Sequence, residues 1–406
     1  MRHRTSQGHD ESSEEPSNTR NSRAAPETPP RDGHELGDAF DASLFRDYVS
    51  RVSSWIDVCD PQCHFGTEVP RRARKIPLLS YAIMAFASAI STSPERAISY
   101  HSRTVNMLIP ILDGPIKTLD ENVLAAIVLL RGAEELSDVD LGTHLFGGAQ
   151  LLRATSGFAV AGGLGEAASW TILRQGIYLS LTRSQPLYMS LDCYKQSRAF
   201  YNLDGASLAN QATFLCAQVL IYAFGMGEGV PERNSNEWEM LNEHANEWYR
   251  SRPRELCAYW VEDTGSRSAF PSVWMTRPVH VIAYQLYYMA RLLLSLFNPH
   301  LTEPSIEIII RRRQAEEQIL TNLRMVIGLS ISHKSNFSAS FHARHVLEAC
   351  GHYLKGPSEQ REALEFLRSL QLRGDPRAES IAERLKMTWT RLSLEPVESF
   401  VAPIVL

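Results

Sequence analysis

Apolar residues along this chain recur every three or four positions, which is the repeat of one helix face, and no run alternates apolar and polar residues as a half-buried strand would. The clearest case is "DENVLAAIVLLRGAEEL". Thr118 followed by Glu121 makes a capping box just before it, and apolar residues then return at helical spacing as far as Leu136. The same spacing predicts helices over 78–91, 95–112, 141–154, 165–183, 208–224, 238–249 and 279–297. From Pro304, "PSIEIIIRRRQAEEQILTNLRMVIGLS" reads as one long helix and "SFHARHVLEACGHYL" as another. Two charged amphipathic helices fill 358–370 and 377–390. Residues 1–40 break the pattern, because Met1, Leu36 and Phe40 are their only large apolar side chains, too few to offset the entropy of ordering the segment. The expected organisation is an all-α protein: a disordered polar tail over 1–40, then a single large multi-helix domain over 41–406.

The longest uncharged stretch, "IPLLSYAIMAFASAISTSP" at 76–94, approaches the length of a membrane span. It carries five Ser/Thr residues besides Tyr81 and many alanines, which suits a helix buried between helices rather than one in lipid. The polar N-terminal stretch lacks the apolar core of a secretory signal, so an intracellular setting is expected. Six scattered cysteines with no C-x-x-C fit reduced core thiols. With 46 Asp and Glu against 41 Lys and Arg, the surface as a whole does not attract phosphate backbones, and DNA contact would need a local patch.

Candidate chemistry is sparse. Cys59 and Cys63 in "DVCDPQCHF" lie four apart beside His64, but no second close pair completes a four-ligand zinc site; the stretch reads as a helix end and a turn with Cys59 packed as a small apolar residue. Gly163, Gly165 and Ala168 match G-x-G-x-x-A, yet no acidic residue follows to meet a ribose hydroxyl and no strand–helix alternation surrounds them, so a helix–helix connection is expected. His342 and His345, three apart, share a helix face, a geometry that can bind metal where a further ligand converges; surface or core histidines are the expectation. Asp138 and Asp140 fall short of the aspartate-rich helix of a terpene-synthase type of enzyme. No nucleophile elbow, H-E-x-x-H, kinase or P-loop signature is present. No catalytic, cofactor-binding or metal-binding residue is assigned. Of two basic runs, Arg311–Arg313 precedes acidic residues that can partner it on a solvated helix. The other, Arg71, Arg72, Arg74 and Lys75 in a Pro-bounded connection, is the candidate nuclear-import signal.

Taken in order, "LFRDYVSRVSSWIDVCDPQCHFGTEVPRRARKIPLLSYAIMAFAS", "AISYHSRTVNMLIPIL", "DENVLAAIVLLRGAEELSD", "THLFGGAQLLRA", "ASWTILRQGIYLSL", "NQATFLCAQVLIYAFG", "FPSVWM" and "PVHVIAYQLYYMARLLL" resemble the successive helices of the fungal-specific transcription factor domain, the helical regulatory region that follows a binuclear zinc cluster; the "CGHYL" and "MTWT" segments extend the resemblance to residues 44–391. The resemblance implies an all-helical domain in the nucleus, no catalysis, no cofactor, and control of transcription, often of a specialised metabolic pathway or gene cluster. Its partners would be other transcription factors or co-regulators, a second copy or a related chain in a dimer, and a small-molecule effector, with no membrane. The six-cysteine cluster is absent from 1–40, so action through partners is expected. The alternatives are a zinc-cluster factor whose DNA-binding part lies outside this sequence, and an all-α pathway enzyme, which convergence of charged side chains in one cavity would favour.

The net charge and the separated basic runs lead to a prediction. In a gel-shift or anisotropy titration near physiological salt, the isolated protein should show no sequence-specific duplex binding; nanomolar, sequence-dependent binding would reveal a DNA-reading element outside these runs.

Overall fold

In the computed structural model, which describes residues 38–91, 93–114, 119–137, 140–225, 233–263, 268–302 and 306–394, the expected helical segments are helices. Helix α1 (Ala39–Asp47) leads through one π turn into α2 (Ser53–Ile56). Then come α3 (Glu68–Ala73), α4 (Pro77–Ile90), α5 (Pro94–Leu112), α6 (Glu121–Glu135), α7 (Thr143–Ala154) and α8 (Gly163–Arg183). The second half holds α9 (Gly205–Phe224), α10 (Ser235–Ser251), α11 (Pro278–Leu296), α12 (Ile308–Ser332), α13 (Phe337–Cys350), α14 (Pro357–Gln371) and α15 (Arg377–Leu394). Short polar side chains set the starts: Asp204, Asn234 and Asn336 accept backbone N–H groups that α9, α10 and α13 leave unpaired. Proline occupies the first turn of α4, α5, α11 and α14, where its missing N–H costs nothing.

Four expectations need correcting or bounding. Asp120, two residues closer to the helix than expected, caps α6 by accepting from Asn122 and Val123, and Thr118 lies outside the described residues. The expected tail over 1–40 lies outside them too as far as residue 37, while Ala39 and Phe40 already belong to α1, with the Arg96 guanidinium 4.4 Å from the Phe40 ring centre. Arg71 and Arg72 are not in a connection but on α3, because Pro70 falls in its first turn, where proline is tolerated. A small antiparallel hairpin, β1 (Trp260–Glu262) and β2 (Ser272–Trp274), was not expected; three residues per strand are too few to print an alternating pattern.

Helix α4 lies between α5 and α6, α6 rests on α8, and α8 packs on α9 and α13. Helix α11 joins α9, α12 and α13, while α14 and α15 pair beside α13. Helix α8 is buried on every side, and its buried residues include Thr171, Arg174, Gln175 and Tyr178. A helix enclosed this way must find partners for such groups inside the protein. Helix α4 is buried between helices, as its sequence predicts, and its 14 residues fall short of the ~20 needed to cross a bilayer. Among the described residues, α9 is long and apolar enough to cross one, and 72% of its apolar window is buried inside the protein. Such enclosure is that of a core helix.

One close approach fixes the hairpin. Gly328 on α12 faces the Pro271 carbonyl so tightly that an added Cβ would sit 2.3 Å from the oxygen. Gly328→Ala should therefore destabilise the protein, by ~1–3 kcal/mol in a denaturant titration, although alanine is the better helix former; unchanged stability would mean the hairpin is loosely seated.

Candidate functional site

The end of α2 meets α4, α6, α8 and α13 around a cavity of about 70 Å³. Its apolar walls are Trp55 with Ile56 and Val58, Phe86 from α4, and Phe337 with Phe341 from α13. Trp55 stacks on Phe337 with ring centres 3.5 Å apart and meets Phe86 edge-on at 6.4 Å, and Ser338 Oγ donates to the Trp55 carbonyl at 3.0 Å. Gly132 lets Phe86 approach α6, since a Cβ there would lie 2.9 Å from the ring.

Three polar side chains converge on this aromatic box. Arg174, only 5% exposed, donates through Nη2 to the Ile56 carbonyl at 3.1 Å and to Thr171 Oγ1 at 2.9 Å. Among the described residues no carboxylate lies within ion-pair distance of it, and its Nε and Nη1 have no hydrogen-bond partner. Gln175 donates through Nε2 to the Val128 carbonyl at 3.3 Å and leaves Oε1 unpartnered. Glu135 is buried with Oε1 3.3 Å from Arg131 Nη2, close enough for an ion pair but not aligned as a hydrogen bond. Burial pushes its carboxyl up to about 7 against the pull of Arg131, and Asp140 adds to the rise. Beside it the Tyr178 hydroxyl lies 3.4 Å from His342 Nδ1, and the His345 ring stacks on Tyr178 at 4.7 Å.

Behind the cavity runs a layer of buried charge. Arg131 forks onto Asp140 at 2.5 and 2.9 Å and reaches Glu134 at 3.2 Å. Glu134 also accepts the Thr143 and His144 backbone N–H groups at the start of α7; burial opposes ionisation, but His144 and Arg131 bring its pKa down to about 2. Arg344 faces Asp375 at 3.1 Å, both fully enclosed. Arg377 and Arg384 share Glu348, at 2.9 and 2.5 Å, and Arg377 stands 3.7 Å from Asp140.

The sequence candidates fall around this centre rather than in it. Cys59 is buried and Cys63 exposed at a φ of +53°, so the two thiols do not converge; Asp60 instead holds the turn by accepting the His64 N–H at 2.7 Å and meeting His64 Nδ1 at 2.8 Å. Gly163, Gly165 and Ala168 form the first turns of α8, where Glu121 accepts the Gly165 N–H and Glu166 that of Gly162, so the chain's own carboxylates serve that helix end. His342 and His345 are core residues. Burial holds His342 down at about 3 and His345 well below the ordinary range, so both are neutral. Asp140 belongs to the Arg131 pair, and Asp138 lies outside the described residues. In the basic run, Arg71 and Arg72 are paired with Glu68 and Arg72 also with Glu121; Arg71, Arg74 and Lys75 are exposed. Arg311 pairs backward with Glu307 at 3.8 Å rather than with the acids ahead of it. Among the described residues no group of three or more His, Cys, Asp or Glu is placed to hold a metal ion.

Arg174, Gln175 and Glu135 escaped the sequence reading. Their only signal is polarity inside apolar runs, "SWTILRQGIYLSL" for the first two and the end of α6 for the third. No family model matches this chain, and neither do the curated proteins or the solved structures searched.

The raised carboxyl of Glu135 has a definite sign in stability. A folded pKa above the unfolded one favours folding below the unfolded value, near 4.5, and that contribution is lost as pH rises to about 7. Glu135→Gln removes the loss, so the variant should gain on the order of 1–2 kcal/mol relative to the parent between pH 5 and pH 8 in denaturant titrations. A pH-independent difference would place Glu135 among ordinary carboxylates.

Proposed function

We propose that this chain is a transcription regulator of the nucleus, working through its helical body and protein partners on genes of a specialised metabolic pathway, with the aromatic cavity as the receptor for a small effector. The observation that carries the effector part is the cavity: an apolar pocket of about 70 Å³ at the junction of five elements with buried polar side chains in its wall, the composition of a small-molecule site at a fraction of the usual volume. The regulatory part is supported by the ordered series of segments from 44 to 391 that resembles the fungal-specific transcription factor domain. Arg71, Arg74 and Lys75 are exposed, and of these Arg74 and Lys75, just past the end of α3, are not held by Glu68.

In this reading the protein reaches promoters through a zinc-cluster factor. Chromatin immunoprecipitation should recover promoter DNA with the protein when that partner is expressed and lose it when the partner is deleted; recovery that survives deletion of every candidate partner would favour a DNA-binding part lying outside this sequence.

A second reading has one observation behind it. Glu135, with a pKa of about 7, lines the cavity and is poised to exchange a proton at neutral pH, as a general acid or base would. An enzyme reading requires turnover that Glu135→Gln abolishes.

A further inference from the structure

Away from the aromatic cavity, unused polar groups also gather in an open groove of about 680 Å³ between the end of α10, α11 and the middle of α12. Arg291 of α11 stands half-buried in its wall. Its Nη1 donates to the side-chain oxygens of Asn242 and Asn246 on α10, at 2.7 and 3.1 Å, and neither asparagine lines the groove. Among the described residues Nε and Nη2 have no partner, and no carboxylate lies within ion-pair distance. Those two N–H groups share one edge of the guanidinium and point the same way, the arrangement that matches the two oxygens of a carboxylate. Around Arg291 the hydroxyls of Tyr249, Tyr287 and Tyr288 are without hydrogen-bond partners among the described residues. The rings behind them are already engaged: Tyr287 lies against Trp248 and Tyr249 at 5.1 and 5.2 Å, and the Arg252 guanidinium sits 3.3 Å from the Tyr249 ring centre. The groove therefore offers hydroxyls rather than open ring faces. On the α12 side the Gln314 amide and the Thr321 hydroxyl are free in the same sense. An apolar ligand would cover these groups without pairing them, whereas one bearing several hydroxyls can satisfy them.

We infer that this groove binds a polyhydroxylated monocarboxylic acid, its carboxylate on the edge of Arg291 formed by Nε and Nη2 and its hydroxyls on the tyrosine hydroxyls and the Gln314 amide. The site is separate from the aromatic cavity and does not rest on the effector reading of it. Size permits such a ligand, since the groove falls within the roughly 300–1,000 Å³ of small-molecule sites and leaves room for water around a six-carbon acid. Charge favours a single negative group. The next guanidinium, Arg252, gives its Nε to the Tyr284 hydroxyl at 2.6 Å and its face to Tyr249, so Arg291 is the cation left for the ligand. Glu317, the one carboxylate among the groove's lining residues, opposes a second negative charge; it is exposed, so water and salt screen its effect on the first.

Isothermal titration of the full-length protein with gluconate, sorbitol, hexanoate and glucose 6-phosphate tests the inference. Gluconate should bind, and the other three should be weaker by about tenfold or more: sorbitol for want of the carboxylate, hexanoate for want of the hydroxyls, and the sugar phosphate for its second charge. Arg291→Lys keeps the charge but not the paired N–H groups and should lose about tenfold of the gluconate affinity. Tyr288→Phe removes one hydroxyl and keeps the ring, and should cost a smaller factor. Sorbitol binding as tightly as gluconate overturns the carboxylate contact, and hexanoate doing so overturns the hydroxylated body. Glucose 6-phosphate binding more tightly than gluconate overturns the choice of a single charge, and full affinity in a folded Arg291→Lys overturns the paired contact. Binding of none of the probes overturns the whole inference and leaves the effector reading of the aromatic cavity where it stands. The ranking of gluconate against sorbitol and hexanoate in the unaltered protein decides the question even if Arg291→Lys does not fold.

Discussion

The ion pairs that tie α6 to the C-terminal helices are the constraint on which the rest of the molecule leans. Arg131 lies on α6 and Asp140 just beyond it, Arg344 and Glu348 on α13, Asp375 between α14 and α15, and Arg377 and Arg384 on α15; the two groups meet where Arg377 stands 3.7 Å from Asp140. Helices separated by two hundred residues are thus held in one register by groups that must meet. Buried pairs of this kind add little net stability, because desolvating each ion offsets most of its attraction, but a misplaced partner leaves a bare charge inside the protein. The layer therefore selects one packing arrangement among several that an apolar interface would accept. Phe341 covers Arg344 at 4.4 Å, and the neighbouring His342 and His345 of the same helix, both neutral, meet Tyr178.

That layer also explains the cavity's electrostatics. Arg131 must serve Glu134, Glu135 and Asp140 together, and its hydrogen bonds go to Asp140 and Glu134. Glu135 receives only the weaker 3.3 Å contact. Its carboxyl consequently behaves as a group in an apolar wall, while Glu134, one residue earlier and bonded to backbone N–H groups, stays ionised. Neighbouring residues on one helix acquire opposite habits because they face different surroundings.

The helices were legible because burial imposes a period on the sequence, and a period survives without knowledge of what packs against it. Helices α5, α11 and α14 print it clearly, and α8 was recognised although it is buried on all sides, since its length and flanking glycines mark it. The hairpin was too short to print a pattern, and α3 was hidden by Pro70. The cavity was illegible for a different reason. Arg174 meets the Ile56 carbonyl across 118 residues and Ser338 meets the Trp55 carbonyl across 283, so the site exists only in the fold. What the sequence offered instead were local pairs, Cys59 with Cys63 and His342 with His345, and local spacing says nothing of whether two side chains face the same space. One thiol of the first pair points into the core and the other to solvent, and both histidines were absorbed by packing.

The separation between Trp55 and Ser338 has a consequence for how the protein is made. A ribosome adding about 5–20 residues each second needs roughly a quarter of a minute to a minute to travel the 283 residues between them. During that interval Trp55 and Phe86 have emerged while Phe337, which covers Trp55 in the finished molecule, does not yet exist. The nascent N-terminal helices therefore expose aromatic surface for most of the time the chain takes to be made. Exposed apolar surface of this kind makes a partly folded chain prone to aggregate, and this one closes only when α13 arrives.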